Sequence, residues 1–156
     1  MGDDGRLGRR PNATDSTKVE SLVPIVIDAN IAIDWFLTKP SPVAEIVLDA
    51  IAAEGAIVPA LWRWEVQDVL RRLQLAGRLT KSVDFIRAEL RELPITVDDG
   101  LTSLFGNEAI IAKRYNLSVY DAAYLELALR LGAQLATNDK ALLAAAKTAK
   151  VSRPRR

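Results

Sequence analysis

At 156 residues, 49% of them apolar and 26% charged, the chain is long enough for one compact domain with a sizeable core and short for two. It has neither Cys nor His, which excludes disulfides, thiolate or imidazole metal sites and a Ser-His-Asp triad, and leaves carboxylates, Lys, Tyr or an oxygen-bound metal for catalysis near neutral pH. The net charge of +1 hides an acidic body, with 12 basic against 16 acidic residues between 22 and 146, so this is not a protein that gains nucleic-acid affinity by coating phosphates with Lys and Arg.

Residues 1–21 are rich in Gly, Asp, Arg, Ser and Thr with little to bury, which predicts a disordered leader ahead of a single domain over 22–151. Val23 to Ile27 reads as a short buried strand ending at Asp28. A helix over Asn30 to Leu37 follows, then a break at Lys39-Pro40-Ser41-Pro42, a helix over Val43 to Ala53 stopped by Gly55, and a second strand over Ala56 to Val58. Val66, Val69, Leu70 and Leu73 form the stripe of an amphipathic helix that ends at Gly77. Thr80 is the expected cap of another helix, running to about Leu93, and Pro94 to Val97 is a third strand. Asp98-Asp99-Gly100 is a turn leading into a helix expected over Thr102 to Tyr115. Ser118 opens a helix, Val119 to Leu131, that is apolar nearly all round and so buried, with Gly132 as its stop. A strand over Gln134 to Thr137, an Ala-rich helix from Lys140 and a final strand near Val151 complete the pattern, before a basic tail over 152–156. Strands alternating with helices imply a three-layer α/β/α domain with a short, mostly parallel central sheet. No apolar run approaches the roughly 20 residues that span a bilayer, so a cytoplasmic protein without membrane contact is expected.

The acids fall where chemistry is expected. Ligands of open parallel sheets bind beyond the carboxyl ends of the strands, and Asp28 and Asp139 both follow strands there. Glu65 shares a helical line with Trp62 and Val69, and Asp121 lies in the first turn of the buried helix, in line with Leu125 and Ala128. Each acid also has a structural reading. Asp28 and Asp139 can be helix caps, Asp121 the acid of a capping box opened by Ser118, and Glu65 a solvated helix residue. One cation site accounts for all four together. Clustered carboxylates repel unless a divalent ion neutralises them, and an oxygen-only donor set suits Mg²⁺ or Mn²⁺.

Four segments carry a family resemblance: Ile25-Val26-Ile27-Asp28-Ala29-Asn30, Leu61-Trp62-Arg63-Trp64-Glu65-Val66, Leu117-Ser118-Val119-Tyr120-Asp121-Ala122-Ala123-Tyr124 and Ala136-Thr137-Asn138-Asp139. In order and spacing they resemble the successive motifs of PIN-domain nucleases, nearest to the toxins of VapBC-type modules, over about Val23 to Val151. The resemblance implies that Asp28, Glu65, Asp121 and Asp139 are a catalytic, metal-binding quartet, with Asn30 and Thr137 as supporting polar residues. It further implies an endoribonuclease leaving a 5′-phosphate and a 3′-hydroxyl, a homodimer, and an antitoxin that lays a basic side chain on the carboxylates. Asp68 stands where the family commonly has Asn, and Asp34 is unusual on the first helix.

Arg63, Arg71, Arg72, Arg78 and Lys81, on or beside the Glu65 helix, are candidates for RNA backbone contact or for a merely solvated face. Asp98 and Asp99 read as turn and cap residues. Phe36 and Trp62 are expected in the core, whereas Trp35 and Trp64 are expected to be at least partly exposed. Three alternatives stay open: a solitary PIN nuclease of RNA maturation, a binding module with an idle site, and an aspartyl-phosphate phosphatase. The last needs a second acid two residues after Asp28, where this chain has Asn30.

Overall fold

The computed structural model describes residues 23–99 and 105–155. Its centre is a parallel sheet of four strands in the order β3-β2-β1-β4, with β1 at Ile25–Ile27, β2 at Ala56–Pro59, β3 at Ile95–Asp98 and β4 at Gln134–Ala136. In β1 every residue is buried. A strand covered by helices on both faces has no solvent side to alternate toward, which is why this segment is a continuous β-branched run.

The helices are α1 (Ala29–Asp34), α2 (Pro42–Glu54), α3 (Trp62–Leu75), α4 (Val83–Glu92), α5 (Glu108–Tyr115), α6 (Val119–Leu131) and α7 (Lys140–Thr148). The chain moves from β1 outward through β2 to β3, then returns across the sheet to β4 on the other side of β1. With right-handed crossovers, the outward connections place α1 to α4 on one face and the return places α5 and α6 on the other. The direction of winding therefore changes between β1 and β4, and the carboxyl ends of these two strands border the crevice where ligands of such sheets bind. Helix α6 packs across β1, β2 and β4 and is buried continuously from Ala122 to Leu127 and on through Ala128. Burying side chains such as Leu125 and Leu127 contributes about 1.5–3 kcal/mol each, so α6 is the spine of its layer.

Several expectations are corrected. Helix α1 ends at Asp34, and the residues after it form a turn. Ser82, not Thr80, caps α4: its hydroxyl accepts the amide of Phe85 at 3.2 Å, while Thr80 donates to the Phe36 carbonyl at 3.5 Å. Residues 105–107 are not helical and α5 begins at Glu108; the rest of the expected start, from Thr102, lies outside the described residues, as does the leader over 1–21. No strand forms near Val151 among the described residues. A single bond runs from the Leu135 amide to the Ser152 carbonyl at 3.0 Å, and Pro154, which has no amide hydrogen, cannot extend a ladder. Asp98 is not a turn residue, because it closes β3 and pairs with Arg130.

Candidate active site

Asp28 follows β1, and its amide donates to the Ala136 carbonyl at 2.9 Å, which prolongs the β1–β4 ladder by one step. That step sets the side chain at the crevice. It is 5% exposed and caps α1 by accepting the Asn30 amide at 3.3 Å. Its other oxygen accepts the Thr137 hydroxyl at 2.7 Å. Thr137, fully buried after β4, uses the same oxygen to accept the Asp139 amide at 3.0 Å. Asp139 in turn caps α7 by accepting the Leu142 amide at 2.8 Å. One hydroxyl thus fixes the first and last acids of the quartet against each other. The capping roles and the site roles of Asp28 and Asp139 coexist.

Glu65 lies in the first turn of α3, half-buried, and Oε2 accepts the hydroxyl of Tyr124 from α6. Asp121 sits on α6 three residues before Tyr124; its amide donates to the Ser118 hydroxyl at 3.0 Å, and that hydroxyl donates back to Oδ2 at 2.7 Å. The capping box is therefore only half formed, since the carboxylate takes the hydroxyl of Ser118 instead of its backbone amide. Tyr124 has no role in the sequence reading. A signal was present: a phenol on an otherwise apolar, buried helix needs a polar partner.

Asp28, Asn30, Glu65, Asp121 and Asp139 line one cavity of about 450 Å³, together with Trp64, Asp68, Arg72 and Tyr120. Burial, then the nearby charges of Asp121 and Asp139, push the Asp28 carboxyl above its ordinary value against the bonds from Thr137 and Asn30. Burial likewise raises Glu65, with smaller contributions from Asp28 and Asp121, and the Tyr124 bond opposes this. The phenol of Tyr124 is pushed up by burial and by Glu65, so at neutral pH it remains a donor. Among the described residues no three carboxylates are grouped tightly enough to hold a metal ion as they stand; Tyr124 holds Glu65 and Ser118 holds Asp121. The donor set still fits a hard divalent cation. It is all oxygen, it borders one cavity, and its mutual repulsion is the kind that a bound cation relieves.

Other expected residues separate. Of the five candidate cations, Arg72 lines this cavity and pairs with Asp68 at 3.1 Å. Arg71 lines a different one, with Gln67, Asp84 and Arg87. Arg63, Arg78 and Lys81 are exposed and line neither. Asp34 is buried outside the cavity, accepting the Ser41 amide at 3.0 Å and the Asn138 side-chain amide at 3.3 Å. Trp62 is buried and Trp64 exposed, as expected; Trp35 is half-buried and donates its indole hydrogen to the Ala44 carbonyl at 2.8 Å.

The PIN domain model matches residues 25–148. This chain belongs to the PIN-domain family. The PIN match takes in all four acids and both strands that position Asp28 and Asp139. Ribonuclease VapC3 of Mycobacterium tuberculosis is 36% identical over 119 residues, covering 76% of this chain and 84% of that protein. Among solved structures, PAE2754 from Pyrobaculum aerophilum superposes with a TM-score of 0.57 at 21% identity, over 79% of each chain. A toxin-antitoxin complex from Klebsiella pneumoniae superposes with a TM-score of 0.52 at 18% identity, over 74% of this chain and 86% of that one. These two likenesses are of fold.

Proposed function

We propose that this PIN-domain protein is a divalent-metal-dependent endoribonuclease and the toxin of a toxin-antitoxin pair, acting in the cytoplasm. The observation that carries the reading is the convergence of Asp28, Glu65, Asp121 and Asp139 on one cavity whose lining cation among the described residues, Arg72, is already paired. Support comes from the 36% identity to a protein named as a ribonuclease. Asp28, Glu65, Asp121 and Asp139 are the residues that hold Mg²⁺ or Mn²⁺ in this reading. When bound, the ion supplies Lewis acidity to a phosphodiester and makes a nucleophile available from water near neutral pH.

The chain's own residues do the orienting. Thr137 keeps the Asp28 carboxylate turned to the cavity and Tyr124 does the same for Glu65. Asn30, exposed at the rim, is placed to contact the sugar-phosphate backbone. Inhibition follows from the same charges: an antitoxin segment that carries an Arg into the cavity pairs with the carboxylates and excludes both ion and RNA. The homodimer belongs to the same reading.

Induced expression with and without the neighbouring antitoxin gene, followed by mapping of RNA ends, tests it. New 5′-phosphate ends and growth arrest are expected, both suppressed by the antitoxin. In the purified protein, Asp28→Asn and Asp121→Asn should each reduce Mn²⁺-dependent cleavage at the mapped site by about a hundredfold or more with the fold retained by circular dichroism. Undiminished cleavage in either variant rejects the site. Cleavage by a chain with no antitoxin beside it in the genome returns the solitary RNA-maturation nuclease to first place.

A further inference from the structure

Two large side chains at the cavity have no part in holding an ion. Trp64 is 71% exposed and Tyr120 67% exposed, and both line the same cavity as the carboxylates. Each directly precedes one of the acids, Trp64 before Glu65 in α3 and Tyr120 before Asp121 in α6. Consecutive helical residues point roughly 100° apart, so a carboxylate turned inward leaves its neighbour's ring at the rim. The core does not need these rings outside for want of room: Trp62, two residues earlier, is buried.

The second observation is charge. Asp28, Glu65, Asp68, Asp121 and Asp139 border this cavity against Arg72 alone among the described residues, and Arg72 is engaged by Asp68. A cation held by the quartet would offset these charges at the scissile phosphate alone, and one guanidinium does not supply the counterion release that drives most nucleic-acid binding along the rest of the backbone. Base faces carry no net charge, and each base stacked on an aromatic side chain contributes about 1–3 kcal/mol.

We propose that Trp64 and Tyr120 are positioning residues that stack unpaired bases beside the scissile phosphate, so that the site draws its affinity from bases more than from phosphates. The proposal rests on the ribonuclease reading of the cavity. Stacking of this kind needs bases whose faces are free, because in a duplex they are covered by their neighbours.

The test uses the full chain and an unstructured oligoribonucleotide spanning the mapped cleavage position. Trp64→Ala and Tyr120→Ala should each raise KM about tenfold with kcat nearly unchanged, and Trp64→Phe and Tyr120→Phe should restore KM. Replacing the nucleotides that flank the scissile phosphate by abasic ones should raise KM for the wild type and erase the difference from the alanine variants. In an Asp28→Asn background, the oligonucleotide should quench tryptophan fluorescence, its duplex should not, and affinity should change less than about threefold between low and moderate salt, where phosphate-driven binding changes far more. Cleavage with KM unmoved in both alanine variants overturns the proposal and leaves the ribonuclease reading standing. Loss of a dimer in sedimentation with KM unmoved likewise overturns it, giving the rings to an interface between copies. Absence of cleavage by the wild type overturns the ribonuclease reading, and with it the placement of the rings beside a scissile phosphate, even where the oligonucleotide still quenches.

Discussion

Two groups of acids lie beyond the carboxyl ends of the strands, and they meet the same electrostatic problem differently. Beside β3, Asp98 and the buried Glu126 of α6 share Arg130, whose Nε reaches Glu126 at 3.0 Å and whose Nη2 pairs with Asp98. Those contacts in turn raise the pKa of the guanidinium. Beside β1 and β4, Asp28, Glu65, Asp121 and Asp139 receive hydroxyls and backbone amides but, among the described residues, no guanidinium, and two of the carboxyls are pushed upward instead. Among the described residues the chain supplies its own cation to one group and none to the other, and the metal-dependent reading of the second group rests on that contrast.

The largest effect that sharpens this contrast is metal-dependent stability. Mn²⁺ at a hundredfold its Kd should stabilise the wild type by about 2.7 kcal/mol, a rise in Tm of roughly 5–10 °C, and Asp28→Asn should abolish the rise. The pH dependence has a definite sign. Asp28 and Glu65 have raised values in the fold, so the folded chain keeps protons that the unfolded chain has released. Stability of the metal-free protein therefore falls as pH climbs from the ordinary carboxylate range to the raised values, and levels off above them. Saturating Mn²⁺, which binds the deprotonated form, should reverse that slope; melts that run parallel with and without the ion across this window break the comparison.

At the neutralised cluster, Arg130→Met should cost about 2 kcal/mol in chemical denaturation, less than a fully buried pair because the guanidinium is partly exposed. The Mn²⁺-induced rise in Tm should survive this change, and its loss would mean that the two clusters are one system. Smallest is Thr137→Val. Removing the hydroxyl shared by Asp28 and Asp139 should cost about 1–2 kcal/mol of stability and weaken Mn²⁺ about tenfold by calorimetry. An unchanged Kd would deny Thr137 its orienting role.

Local chemistry was legible and long-range polar pairing was not. The β-branched run before Asp28, the stop at Gly132, whose φ of +60° suits a residue without a side chain, and the α3 stripe all act within one element and leave a pattern in its spacing. The helical phase that put Glu65 toward the site is of the same kind. Thr80 and Ser82 are two hydroxyls two residues apart, each able to cap a helix; the choice depended on the Phe36 carbonyl, 44 residues away in sequence. Tyr124 with Glu65 and Arg130 with Asp98 are separated by 59 and 32 residues, distances over which a single sequence carries no periodic signal. That Asp28 and Asp139 line one cavity was readable because the topology brings the ends of β1 and β4 together; Glu65 and Asp121 were added by helical phase and by the family resemblance.

Thr137 and Asn138 follow β4 yet reach back to opposite ends of α1, Thr137 to Asp28 and Asn138 to Asp34, across 109 and 104 residues of chain. During synthesis at about 5–20 residues per second, Asp28 therefore leaves the ribosome several seconds or more before the hydroxyl that orients it exists. The four acids therefore cannot share their cavity until the last strand and helix have left the ribosome, because Asp139 and the Thr137 hydroxyl belong to that final part of the chain.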